Sequence, residues 1–177
     1  MNLPNKLTVL RVLMVPFFVL FMLTDFTAFN RLIALILFIT ASITDQLDGH
    51  IARKYNMITS FGKFMDPIAD KLLVSSALIC LSSLGELPAW VVIVIILREF
   101  AISGLRLVAT ENGSVIAAAG WGKAKTVSQM TLIIIMLLNI PQLHILSQIA
   151  MYTAVVLTLI SLVDFMLKNK DTFIMDK

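Results

Sequence analysis

The stretch Leu32–Asp48, LIALILFITASITDQLD, decides how this chain folds. It opens as an apolar run and closes on two carboxylates. Leu32 to Thr44 alone is shorter than the about 20 residues a helix needs to cross a bilayer. The expected helix therefore runs on through Asp45, Gln46, Leu47 and Asp48, which places both acids at or just inside the membrane interface. At spacing i, i+3, Asp45 and Asp48 project from one helix face, and Gly49 and Ala52 continue that stripe with no side-chain bulk. A bulky ligand can press against such a face.

The next apolar stretch opens with a second pair, Asp66 and Asp70, spaced i, i+4 and so again on one face. Two antiparallel spans joined by a short loop bring both pairs to the same membrane depth, where four acids can converge on one point. Each acid at that depth costs on the order of 3 kcal/mol on insertion scales, and like charges raise one another's pKa. A bound cation offsets both penalties. Oxygen ligands without His or Cys point to Mg²⁺, Mn²⁺ or Ca²⁺ rather than zinc, and two such ions can bridge a pyrophosphate. Any one of these aspartates alone reads equally well as a helix cap or a solvated loop residue. Four of them, interleaved with Gly49, Ala52, Arg53 and Gly62, do not.

Outward from this hairpin the chain is uniformly apolar. Of 177 residues, 59% are hydrophobic and 14% charged, and the mean hydropathy is +0.94, which excludes an ordinary soluble domain. Apolar runs over Leu7–Leu23, Phe29–Leu47, Ile68–Leu84, Pro88–Val108, Ala124–Ile140 and Ile145–Leu167 predict six transmembrane helices in a single catalytic domain covering 1–177. Breaks are expected at Thr24–Asn30, Gly49–Asp66, Gly85–Pro88, Glu111–Gly113 and Asn139–Pro141. The first run carries Arg11 and Pro16 and lacks a small-residue cleavage pattern before Asp25, so it is expected to stay in the mature protein. Lys and Arg gather at the ends that share a side with the N-terminus, and Arg31 alone falls clearly opposite. By the positive-inside rule both termini are expected in the cytosol.

Read together, Asp45-Gln46-Leu47-Asp48-Gly49-His50-Ile51-Ala52-Arg53 and Gly62-Lys63-Phe64-Met65-Asp66-Pro67-Ile68-Ala69-Asp70 match every position of D-x-x-D-G-x-x-A-R-x8-G-x-x-x-D-x-x-x-D. This resembles the signature of the CDP-alcohol phosphotransferase family. The resemblance implies an all-α integral membrane fold of six helices with the motif across the second and third. It also implies two divalent ions, Mg²⁺ or Mn²⁺, held by Asp45, Asp48, Asp66 and Asp70 against the donor's pyrophosphate, with Asp70 as general base. Gly49, Ala52 and Gly62 would let the CDP moiety approach the backbone, and Arg53 would neutralise donor phosphate or hold a carboxylate. The reaction implied is attack of an alcohol on the lipid-side phosphorus of CDP-diacylglycerol, with CMP leaving. A homodimer in the cell membrane, its active site facing the cytosol, follows from the same resemblance, and no nucleic-acid partner is expected.

Three further segments are similar to the phosphatidylglycerophosphate synthase branch of that family: Asn2–Arg11, Arg98-Glu99-Phe100 with Arg106, and Gly122–Thr126. Cations inside a membrane helix usually face a cavity or a partner. Arg11, Arg98, Arg106, Lys123 and Lys125 are thus candidates for the acceptor's phosphate, which suits glycerol 3-phosphate. Lys123 and Lys125 can equally snorkel to headgroups, Arg98 can pair with Glu99 structurally, and Arg11 can serve as an anchor. Phosphatidylglycerol, inositol phosphate and serine stay open as acceptors. A cation transporter would need midplane carboxylates and a matching site in the other half; the acids cluster at one interface, and no repeat is apparent. His50 and His144 lack partner ligands at metal spacing, and Cys80 sits in an apolar run as core packing.

Overall fold

A computed structural model describes the backbone of residues 3–54, 60–111 and 120–170, with side chains for all of these except 3–4, 45–54, 60–64, 66–67 and 108–111. Apolar runs rich in Leu, Ile, Met and Ala satisfy their backbone polar groups internally as helices. The described elements are α1 (Leu3–Leu23), α2 (Asn30–Lys54), α3 (Ser60–Ser83), α4 (Ala89–Glu111), α5 (Trp121–Leu138), a 3-10 turn (Pro141–Leu143) and α6 (His144–Lys168). The all-helical class agrees with the sequence expectation. By length and composition, Asn5–Leu23 and Pro141–Lys168 can each cross a membrane, and Asn30–Thr44 is a shorter apolar stretch. The other helices dilute their apolar runs with charge, such as Arg98, Glu99 and Arg106 in α4 and Lys123 and Lys125 in α5.

One boundary differs from the sequence expectation. The break foreseen at Gly49–Asp66 is narrower, because α2 continues to Lys54 and α3 already begins at Ser60. Hydropathy marks where an apolar slab ends. Helical hydrogen bonding has no such limit and carries on through polar residues.

The chain divides into two compact units, Met1–Leu87 with Met136–Asn139, and Pro88–Ile135 with Ile140–Lys177. In the first, α1 packs on both α2 and α3. Its buried residues Asn5, Thr8, Arg11, Val15, Phe18 and Met22 recur at three- and four-residue steps, forming one inward stripe. Facing residues include Ala34, Phe38 and Ala41 on α2 and Ala69, Leu73 and Ala77 on α3. Alanines at these positions let helix backbones approach closely where no aqueous hydrophobic effect drives association. Phe18 and Phe38 fill the remaining space, with ring centroids 6.1 Å apart and planes tilted by 48°.

At the end of this unit away from the aspartates, α3 closes with a left-handed glycine. Gly85 has φ +75°, Gly85 N–H donates to the Ser82 carbonyl at 3.0 Å, and Glu86 N–H donates to the Leu81 carbonyl at 3.0 Å. This pair of bonds is the Schellman arrangement, which satisfies carbonyls the helix leaves orphaned. The turn also aims Glu86 at Arg31, whose Nη1 donates to Glu86 Oε1 at 2.5 Å. Arg31 Nη2 donates to the Met136 carbonyl at 2.7 Å, and Nε to the Leu137 carbonyl at 3.3 Å. The cation that stood apart in the charge pattern thus caps the C-terminus of α5, beside Asn139 at φ 49°.

In the second unit, α4 packs on α6. Val91, Ile95, Arg98 and Ile102 form the buried stripe of α4, and Ala154, Thr158, Ser161 and Phe165 that of α6. Lys125, Gln129, Leu132 and Ile133 are the buried positions that α5 contributes to this unit. This interior is polar for its position in an apolar chain. Gln129 Nε2 donates to Thr158 Oγ1 at 3.1 Å, and Thr158 Oγ1 donates to the Ala154 carbonyl at 2.6 Å.

Candidate functional site

Asp45, Asp48, Gly49, Ala52 and Arg53 all lie in the last turns of α2, and Gly62, Asp66 and Asp70 in the first turns of α3. Both helices belong to the first unit and touch each other as well as α1. The helical register puts Asp45 with Asp48 on one face of α2 and Asp66 with Asp70 on one face of α3, as the spacing requires. Of the eight, only Asp70 has a described side chain; it is half-buried, next to the fully buried Ala69. The side chains of Asp45, Asp48, Ala52, Arg53 and Asp66, with positions Gly49 and Gly62, lie outside the described residues. Among the described residues no group of three or more His, Cys, Asp or Glu assembles. The chemistry of the residue set fits a hard divalent cation, since it offers carboxylates with neither His nor Cys among them.

The cations divide between the units. Arg11 belongs to the first, where it is fully buried on the inward stripe of α1 and engaged by its surroundings. An ordinary headgroup anchor would keep its guanidinium at the surface. Arg98, Arg106, Lys123 and Lys125 belong to the second unit.

Within the second unit the structure joins Arg98 and Lys125 through Glu99. Arg98 Nη1 donates to Glu99 Oε1 at 3.1 Å, and the Lys125 ammonium bonds the same oxygen. Arg98 Nη2 donates to Ser161 Oγ on α6. Three helices thus meet on two cations that are 8% and 4% exposed, at a depth where an unpaired charge costs several kcal/mol. Arg106, two turns along α4, is exposed, and its guanidinium lies 5.7 Å from the centroid of the Phe165 ring. Lys123 is exposed at the start of α5. Arg98 and Lys125 are therefore brought together, while Arg106 and Lys123 are exposed.

Spacing along the chain singled out the cations but gave Ser161, Gln129 and Thr158 no role. Each is a small or amide side chain inside an apolar run, and its partner sits on another helix. Only the buried-polar rule signals them, because a polar group in a membrane helix interior needs a partner. Glu99 was foreseen as a partner of Arg98; its bond to Lys125 was not.

Aspartates along two apolar helices of the first unit and buried cations in each unit are residue types that suit phosphate-ester chemistry. This chain belongs to the CDP-alcohol phosphatidyltransferase family, whose family model matches residues 1–160. A CDP-diacylglycerol--glycerol-3-phosphate 3-phosphatidyltransferase of Bacillus subtilis (strain 168) is 44% identical, over 95% of this chain and 95% of its own length. A probable phosphatidylglycerophosphate synthase of Mycobacterium tuberculosis (strain ATCC 25618 / H37Rv) is 46% identical over 93% of this chain and 79% of its own. A protein of Rickettsia bellii (strain RML369-C) bearing the same name as the Bacillus relative is 40% identical over 90% of this chain and 91% of its own.

Proposed function

We propose that this chain transfers the phosphatidyl group of CDP-diacylglycerol to glycerol 3-phosphate, giving phosphatidylglycerophosphate and CMP. The observation that carries the reading is the complete aspartate signature across α2 and α3 in a chain whose relatives, at 40–46% identity over most of its length, bear the name of that activity or of its product. Asp45, Asp48 and Asp66, with Asp70, would hold divalent ions, Mg²⁺ or Mn²⁺ and two in number. When bound, those ions neutralise the pyrophosphate and stabilise the charge that builds on departing CMP. Asp70 takes the proton from the acceptor hydroxyl as its oxygen bonds to the lipid-side phosphorus and the bond from that phosphorus to CMP breaks. Gly49, Ala52 and Gly62 leave room for the CDP moiety, and Arg53 faces the task of balancing its phosphates. Arg98 and Lys125, with Arg11, Arg106 and Lys123, make up the cationic set for the acceptor phosphate.

The same reading assigns six transmembrane spans, a single catalytic domain over 1–177, cytosolic termini, a homodimer and a multi-pass place in the cell membrane with the active site toward the cytosol. The apolar helices α1 and α6 and the one-sided distribution of Lys and Arg support it. The test is to offer labelled CDP-diacylglycerol to the purified protein with glycerol 3-phosphate, phosphatidylglycerol, inositol phosphate or serine. Glycerol 3-phosphate is expected to be the acceptor that releases CMP. Product from another alcohol, with none from glycerol 3-phosphate, overturns the acceptor assignment.

A further inference from the structure

Glu99 holds a position that the transfer reaction leaves without a task. Cations from two helices, Arg98 on α4 and Lys125 on α5, share its single oxygen Oε1, and the glutamate side chain is itself 15% exposed. Arg98 and Lys125 set two positive charges against the one negative charge of Glu99, and Lys125 has further interactions of its own. They also hold a spare donor: Arg98 Nε is buried and has no hydrogen-bond partner among the described residues. An unused donor in apolar surroundings is costly until an acceptor reaches it. A phosphate dianion supplies acceptor oxygens in the geometry a guanidinium prefers and the charge to bind the cations that Glu99 now holds.

We propose that Glu99 is the resident counter-anion of the acceptor-phosphate site. It holds Arg98 and Lys125 in place while the site is empty and yields them to the phosphate of the incoming acceptor. Glu99 is thus a positioning residue that sets how tightly a phosphorylated acceptor binds, because its carboxylate competes with the phosphate for the same two cations. This inference rests on the reading above that Arg98 and Lys125 receive that phosphate.

Glu99→Gln keeps the shape of the side chain and removes its charge. With the full-length protein in detergent and inorganic phosphate as probe, the variant is expected to unfold at a lower temperature than the wild type in phosphate-free buffer and to regain that loss when phosphate is added. The phosphate concentration that half-inhibits transfer is expected to fall on the order of tenfold, and the KM for glycerol 3-phosphate to fall with it, while Glu99→Asp stays near the wild type. A Glu99→Gln protein that is less stable but responds to phosphate as the wild type does has lost only a structural contact, and the proposal is overturned. If Glu99→Gln does not fold, Glu99→Gln with Lys125→Met restores the original charge balance. That double variant is expected to fold and to lose the phosphate response, and failure to fold overturns the proposal. Lys125→Met alone separates the two readings. An unchanged KM for glycerol 3-phosphate there removes the acceptor site itself, whereas a raised KM together with a wild-type phosphate response in Glu99→Gln removes only the counter-anion.

Discussion

Asp70 differs from the other three aspartates in the work assigned to it, since it must accept a proton as well as face a cation. Replacement by asparagine keeps its volume and a hydrogen-bonding end while removing that capacity. Asp70→Asn is expected to lower CMP release by roughly 10²–10⁴-fold, with insertion and thermal stability close to wild type because the side chain is only half-buried. Full activity in the variant, measured as labelled CMP released, would take Asp70 out of the base role. At this scale the sequence was most legible in the backbone: both aspartate pairs lie within helices, α2 and α3, as the expected spans required. It was least legible where a partner lies on another helix. The bond from Arg98 to Ser161 joins residues 63 positions apart, and that from Lys125 to Glu99 joins residues 26 apart. No periodicity along one helix records such pairings.

The ends of the elements follow rules the sequence does carry. Gly85 lies in the polar break foreseen after the third apolar run, and its φ of +75° shows why a glycine stands there. An added Cβ meets nothing within 4 Å, so the cost of Gly85→Ala is conformational and not steric contact with neighbours. The left-handed backbone is worth about 1–2 kcal/mol against an L side chain. Gly85→Ala is therefore expected to destabilise the protein by about that amount in detergent unfolding, with the KM for glycerol 3-phosphate unchanged. A variant as stable as the wild type would mean that the α3 end does not need this conformation. The opposite error arose at the α2 and α3 ends near the aspartates. Polarity there was read as a break, yet both helices extend into it, because a helix leaving an apolar layer loses its hydrophobic neighbours and keeps its own hydrogen bonds.

For the whole molecule, the six spans and cytosolic termini proposed above put residues near Lys6 on one side of the membrane and the turn that begins α6 on the other. His144 is exposed there and Lys6 is exposed on α1, while Cys80, the one cysteine, is buried and gives little background. A membrane-impermeant maleimide is expected to label His144→Cys in intact cells and Lys6→Cys only after permeabilisation. The reverse pattern would invert the orientation, and labelling of both in intact cells would contradict six spans. Composition and charge distribution were enough to foresee an all-helical chain. They could not foresee that the second unit buries Gln129, Thr158 and Ser161 as polar groups, since hydropathy averages over a helix and hides which face a single polar residue takes.

The deepest commitment is that carboxylates from α2 and from α3 hold the same divalent ions. Mn²⁺ binding to the purified protein, followed by electron paramagnetic resonance for wild type, Asp48→Asn, Asp66→Asn and the double variant, measures this directly. Each single variant is expected to weaken the same bound Mn²⁺, and the double variant to lose far less than the two single losses added together, as residues sharing one ligand must. Strictly additive losses, or Mn²⁺ affinity untouched by either substitution, would contradict it.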